Sequence, residues 1–375
     1  MKTRLLTILC TFTLMSSFVC MADDKPELRY VDATNFRIIN KGWENTDGTY
    51  TRIPTYMKDS LRENQWWLYS HSSGIGIRFA TNSTRIGAHY NLKYNFHMQH
   101  MAMTGIKGTD LYYLNDKGKW EYVNTARPQE KDFKADSIQS KVYVENLDGK
   151  MHEFMFYLPL YDGINWFQIG VDSMADVVYP QVENPRKKRI VFYGTSILQG
   201  GCASRTGMVT SSMVQRDLDI ECVNLATSGE GKMDSYLAYC MATIDDVVCY
   251  VLDPVTNCTE MMCDTLTYGF VNILRRLRPE VPIVMVEGMQ YPYAKHDSYF
   301  RDYLPRKNAA WRRNYEKLRK DNPKGLYYLR CEGMTGREEE GTVDGIHLTD
   351  YGFRAYADML EPILQKIMKK SKELK

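Results

Sequence analysis

The sequence predicts an α/β fold, a parallel sheet wrapped by helices, preceded by an all-β sandwich. Three observations carry the prediction. From about residue 26 to 180, short alternating runs are separated by turn residues. After Pro185-Arg186-Lys187-Lys188 the rhythm changes, and short apolar runs alternate with helical patterns. The chain then closes on a long stretch with a clear helical period. The domains this implies are a sandwich at 26–183 and an α/β domain at 186–375.

In the first region, Gly74–Phe79 and Arg85–Tyr90 alternate apolar and polar positions around the turn residues Asn82-Ser83. Leu111–Leu114 meets Trp120–Val123 across Asn115-Asp116-Lys117-Gly118, which predicts a hairpin. Lys141–Val144 and Glu153–Leu158 flank Asp148-Gly149. Many short strands at this spacing point to a sandwich.

In the second region the apolar runs are Arg189–Tyr193, Cys222–Leu225, Val247–Leu252, Ile283–Val286 and Leu326–Leu329. Helical stretches at Leu266–Arg278 and Ala309–Lys320 fall between them. In the last helix, Phe353, Tyr356, Leu360, Leu364 and Ile367 recur every three or four residues, and Thr349 can cap its start. Pro362 lies inside this pattern and marks a place for a kink or break.

The first residues stand outside both regions. Lys2 and Arg4 precede an apolar run, Leu5–Val19, followed by Cys20-Met21-Ala22 and then Asp23-Asp24-Lys25. This reads as a secretory signal peptide over 1–22, hence a secreted or periplasmic protein. The run is shorter than the roughly 20 residues of a spanning helix, so no transmembrane segment is expected. A lipoprotein anchor through Cys20 is the lesser alternative, because Ser17-Phe18-Val19 fits a lipidation site poorly.

With 44% hydrophobic and 25% charged residues, the 375-residue chain has ordinary globular composition, and either region can bury a core. The net charge of +2 falls to zero once Lys2 and Arg4 leave with the signal. That gives no electrostatic reason to expect nucleic acid as a partner. Seven cysteines remain after cleavage, all between Cys202 and Cys331, with no CxxC pair to suggest zinc. They read as buried small apolar side chains, with one local bridge open between Cys258 and Cys263.

The chemistry-bearing residues follow the strands. The first parallel strand ends in Gly194-Thr195-Ser196-Ile197-Leu198-Gln199-Gly200-Gly201. Ligands of open α/β sheets bind at the carboxyl ends of strands, so Ser196 is placed for attack. A serine hydroxyl needs a base, and a histidine base needs a carboxylate to fix its tautomer. Asp344-Gly345-Ile346-His347, just before the last helix, offers both on one loop. Acyl transfer also needs donors where negative charge develops. Gly229, after the second strand, and Asn257, after the third, are the candidates. The Gly200-Gly201 pair would let backbone approach a ligand closely.

These four segments in this order resemble the SGNH hydrolases, or GDSL-type esterases and lipases, named for the Ser, Gly, Asn and His of their four blocks. The resemblance covers residues 186–375. It implies a flavodoxin-like three-layer α/β/α fold, with Ser196 as nucleophile and Asp344 and His347 completing a catalytic triad. The N–H groups of Ser196 and Gly229 and the Asn257 side chain would form the oxyanion hole. The first block is spelled Gly-Thr-Ser-Ile, and Cys258 follows Asn257 where the family commonly has Asp. The front region, through Gly108-Thr109-Asp110-Leu111-Tyr112 and Tyr157-Leu158-Pro159-Leu160, resembles the sandwich preceding the hydrolase in one secreted branch. The other large serine-esterase class has Gly-x-Ser-x-Gly, and here Leu198 stands at the second glycine.

The expected activity is hydrolysis of small acyl esters, acetyl foremost, on carbohydrates, with no cofactor and no metal. The alternatives are a lipid esterase or lysophospholipase, or a non-catalytic carbohydrate-binding protein on a hydrolase scaffold. Arg205, close after the nucleophile, is a candidate substrate contact. His97-Met98-Gln99-His100-Met101-Ala102-Met103 invites a copper reading, but reads better as a strand or loop packed near the domain boundary. Trp66-Trp67 reads as core rather than a sugar platform. Trp311, Tyr315 and Leu318 give the basic helix around Arg312 its buried face.

Overall fold

A computed structural model describes residues 26–44, 48–129, 131, 133–180 and 188–371. The signal-peptide reading and the Pro185–Lys187 boundary lie outside the described residues.

The N-terminal region holds strands β1 (Arg29–Asp32), β2 (Arg37–Ile39), β3 (Gly76–Thr81), β4 (Ile86–Leu92), β5 (Asp110–Leu114), β6 (Trp120–Thr125), β7 (Ile138–Val144), β8 (His152–Tyr157), β9 (Ile164–Val171) and β10 (Val177–Val178). It also carries short helices α1 (Glu63–Tyr69) and α2 (Met103–Ile106). One sheet runs β1-β9-β4-β7, and the other β10-β3-β8-β5-β6 with β2 beside β3. Ile77, Phe79, Phe154 and Phe156 of one sheet meet Ile86, Tyr90, Phe167 and Ile169 of the other in a shared core. The β5–β6 hairpin forms as expected, pairing Leu114 with Trp120.

The turn at Asn82-Ser83 does something the alternation does not announce. The strands on either side of it join different sheets, so the chain arches across the sandwich instead of closing a hairpin. The segments flanking Asp148-Gly149 do the same. The inside–outside contrast is also lost in β3, where all six residues are buried. Its second face is covered as well. Tyr157 of the neighbouring β8 donates to the Ser212 carbonyl at 3.3 Å, and Arg216 lies 4.4 Å above the Tyr112 ring. Ser212 and Arg216 belong to helix α4 (Thr210–Leu218) of the second region, which follows the short α3 (Ser196–Gln199).

That second region is built on a five-stranded parallel sheet: β11 (Arg189–Gly194), β12 (Glu221–Asn224), β13 (Val247–Asp253), β14 (Ile283–Val286) and β15 (Leu326–Leu329). The order is β12-β11-β13-β14-β15, the 2-1-3-4-5 arrangement of flavodoxin-like folds. Its strands read as near-continuous apolar runs because both faces are covered. Ile190 and Phe192 pack into one core with α4 and with α9 (Asp350–Lys370). Val191 and Tyr193 pack into the other, against α5 (Ser235–Met241), α7 (Thr267–Leu277) and α8 (Ser298–Asp321). A further short helix, α6 (Glu260–Thr265), leads into α7.

The period of α9 holds: Phe353, Tyr356, Leu360, Leu364 and Ile367 are at most 1% exposed. Thr349 caps it, accepting from Gly352 N at 3.3 Å. The helix runs through Pro362 without ending. Helix α8 starts at Ser298, well before the expected Ala309, with Pro305 inside it and Asp297 as its cap. All seven cysteines from Cys202 to Cys331 are buried thiols outside any disulfide, including Cys258 and Cys263. Among the described residues, no helix is long and apolar enough to cross a membrane.

Candidate active site

The carboxyl ends of β11, β12 and β13 are adjacent, so parallel pairing alone brings the loops of Ser196, Gly229 and Asn257 together. Two glycines allow the close fit. A Cβ on Gly194 would lie 2.7 Å from the Asp253 carbonyl oxygen, and one on Gly231 only 2.0 Å from that of Gly194. Ser196 opens α3, with Thr195 as its cap. Its backbone N–H is therefore among those left free by a helix start. The residue is only 7% exposed.

The loop from β15 to α9 supplies the rest. Asp344 Oδ1 accepts from His347 N at 2.7 Å and Ile346 N at 3.0 Å. Its Oδ2 lies 2.8 Å from His347 Nδ1. The opposite ring nitrogen, Nε2, lies 2.9 Å from Ser196 Oγ. The three-residue spacing works because Gly345 takes a left-handed conformation, with φ of 86°. Burial pushes the Asp344 carboxyl up, but bonds from the His347 ring and the two backbone N–H groups outweigh it and hold it at about 2. Asp344 is thus an anion that favours the imidazole tautomer with Nδ1 protonated, in which the Nε2 lone pair faces Ser196 Oγ.

A Cβ on Gly201 would lie 3.0 Å from His347 Cδ2, so the glycine makes room for the histidine. Its neighbour Gly200 is left-handed, φ 110°, and ends α3.

The two donor candidates are held in one assembly. Asn257 Nδ2 donates to the Thr227 carbonyl at 3.2 Å, which leaves its second N–H for a ligand. Gly229 is left-handed, φ 70°, and a Cβ there would meet nothing within 4 Å, so its backbone borders open space. Next to Gly229, Ser228 N donates to Gln199 Oε1 at 2.8 Å, tying this loop to the helix of Ser196.

Arg205 turns elsewhere. Its guanidinium donates to Asp110 Oδ2 and to the Tyr112 hydroxyl, each at 2.7 Å, and lies 3.8 Å above the Tyr122 ring. These contacts bind the Arg205 side chain to the sandwich.

Several residues around the site carried no signal of their own in the sequence. Buried Arg52 donates to the carbonyls of Asn224 and Ala226, at 3.0 and 2.6 Å, bracing the strand end before Gly229. Asn224 Nδ2 holds the Leu198 carbonyl at 2.7 Å. Tyr161 donates to the Ser196 carbonyl at 3.4 Å. These are isolated polar residues whose partners are distant in sequence, so no local pattern marks them. The exposed His100, set aside in the sequence as packing, brings its ring to 5.5 Å from that of His347.

A serine, an imidazole and a carboxylate in a hydrogen-bonded line, beside a helix start and a free amide N–H, can do acyl transfer. Comparison with known proteins points the same way. The family model described as GDSL-like lipase/acylhydrolase matches residues 187–365. The model for the N-terminus of SGNH-hydrolase-type esterases, named for its GxDLY motif, matches 28–177. Among solved structures, a GDSL-like lipase from Bacteroides ovatus is 32% identical over 91% of this chain and 98% of its own, with a TM-score of 0.85. A salicylyl-acyltransferase from a tetracycline biosynthetic pathway is 16% identical, covering 91% of this chain and 97% of its own, at a TM-score of 0.71. An acetyl xylan esterase from the rumen bacterium Butyrivibrio proteoclasticus is 9% identical, covering 93% of this chain and all of its own, at 0.58. The latter two share the fold. No curated protein matches. The chain belongs to the GDSL-like lipase/acylhydrolase family of SGNH-type esterases and is a carboxylic ester hydrolase.

Proposed function

We propose that the protein is a secreted serine esterase that removes small acyl groups, acetyl foremost, from carbohydrate hydroxyls. The observation that carries the reading is the continuous line from Asp344 through His347 to Ser196, at 2.8 and 2.9 Å. Ser196 Oγ attacks the ester carbonyl while His347 Nε2 takes its proton. The carbonyl electron pair moves to oxygen, which the N–H groups of Ser196, Gly229 and Asn257 receive. As the tetrahedral intermediate collapses, His347 protonates the departing sugar oxygen and the acyl group stays on Ser196. Water then repeats both steps and releases the acid. The reaction calls for no cofactor.

The near-complete burial of Ser196 supports a small acyl group. The substrate class is drawn from the acetyl xylan esterase of similar fold. Secretion rests on the basic start and apolar run before Ala22. Rates on acetyl and long-chain acyl esters of one chromogenic alcohol, with a deacetylation screen over acetylated polysaccharides, test the reading. Faster turnover of acetate and release of acetate from a glycan support it. Faster turnover of long-chain esters would replace it with a lipid esterase. Failure of a fluorophosphonate to label Ser196 in folded protein would favour a non-catalytic binding protein.

A further inference from the structure

We propose that His100, Cys202 and His347 form a binding site for Zn2+ whose occupation switches hydrolysis off. One ligand atom from each of the three lies within 4.8 Å of the other two. They come from three separate segments: the loop before α2, the segment after α3, and the loop before α9. Cys202 Sγ lies 3.4 Å from the His100 carbonyl, so the thiol already faces the His100 segment.

The donor set decides the metal. Two imidazoles and a thiol suit borderline-soft Zn2+, whereas Mg2+ and Ca2+ take oxygen ligands. Tetrahedral zinc with such ligands needs donor separations of about 3.5 Å. His100 is exposed, so its ring is free to turn and close the remaining gap, and water can take the fourth position.

The outer shell is already built. His347 Nδ1 faces Asp344, as a ligating histidine characteristically faces a carboxylate. The Cδ2–Nε2 edge faces Gly201, next to Cys202. Nε2 is therefore the nitrogen available to a metal, and it is the one that holds Ser196 Oγ. When zinc binds, the His347 Nε2 lone pair moves from the serine hydroxyl to the metal. The Cys202 thiol gives its proton to solvent and its lone pair to zinc, and Ser196 keeps its proton. No electron is transferred. A zinc-bound His347 cannot act as base, so metal binding and ester cleavage exclude each other.

The test uses the full-length protein, freed of metal and titrated with Co2+ and then Zn2+. Thiolate-to-Co2+ charge-transfer absorption is expected, and Zn2+ should displace it. Zn2+ should also inhibit hydrolysis of a chromogenic acetate, and EDTA should restore it. H100A and C202A should each raise the inhibitory Zn2+ concentration at least tenfold. His100 is exposed, so H100A tests the site even where C202A fails to fold. The inactive S196A should keep the Co2+ spectrum, which separates this proposal from the esterase reading. No charge-transfer band in the wild type, or equal inhibition of wild type and H100A, would overturn it.

Discussion

Asp110 Oδ2 accepts the backbone N–H of Gly207 at 2.8 Å, joining the sandwich to the segment that follows Ser196. The same oxygen takes the Arg205 guanidinium, and Oδ1 takes the Thr125 hydroxyl. This gives the Gly108-x-Asp110-Leu111-Tyr112 motif a physical meaning. Gly108 allows the backbone to pass Thr104, where a Cβ would lie 2.3 Å from a carbonyl oxygen. Tyr112 fills the space above Gly207, where no side chain fits.

Removing Asp110 strands a partly buried arginine and a buried N–H. Asp110→Ala is expected to cost about 3 kcal/mol, visible as a lower unfolding midpoint. Arg205→Lys should also lower the midpoint, because lysine lacks the planar fork that bonds Asp110 and Tyr112 together and stacks on Tyr122. A melt of Asp110→Ala at the wild-type midpoint would show that this latch bears no load.

Lys107 and Asp162 form an ion pair in which both side chains are fully buried. Lys107 also donates to the Tyr94 carbonyl at 2.7 Å, and Asp162 accepts from Tyr94 N at 2.9 Å. The pair thereby anchors the segment leading to His100. Lys107→Met leaves an unpaired buried carboxylate and should destabilise by about 3–5 kcal/mol. Adding Asp162→Leu should recover part of the loss, which thermal or denaturant unfolding of the two variants checks.

Asp253 ends β13, just before the Asn257 turn. Burial pushes its carboxyl up to about 8, while the bond from the Tyr356 hydroxyl at 3.0 Å works the other way. The folded state thus holds a proton that the unfolded chain releases near the ordinary carboxylate range. The stability this contributes is present at low pH and is lost as pH rises from that range through about 8. Asp253→Asn removes the titration. Its unfolding midpoint should fall less than that of the wild type over this window.

In the proposed mechanism Asn257 meets charge that develops only in the transition state, so Asn257→Ala should lower kcat by about 10²–10³-fold with little change in KM. Asp344→Asn should lower kcat by about 10³–10⁴-fold. With Asp344 held at about 2, its protonation cannot cause a loss of activity that sets in at weakly acidic pH. A pH–rate profile whose acid limb sits near 2 would contradict the assignment of His347 as the base.

Much of this was legible in the sequence, for identifiable reasons. Strands covered on both faces show as apolar runs, so Ile283–Val286 and Leu326–Leu329 match their expected bounds. The candidate site residues could be picked out because each lies in a loop shortly after a parallel strand or just before the last helix. Sheet membership was not. A turn signal such as Asn82-Ser83 says that the chain reverses, not which sheet receives it. The start of α8 was hidden because Pro305 stands inside it and, of Ser298–Arg306, only Leu304 is buried, so no apolar period shows there. The approach of His100 to His347, and the turn of Arg205 toward Asp110, depend on how one region packs on the other. No local pattern encodes that.

The most direct test is turnover of a chromogenic acetate by Ser196→Ala, with folding checked by its unfolding midpoint. Loss of nearly all kcat at an unchanged midpoint is expected. A folded Ser196→Ala protein that keeps most of its activity would contradict it.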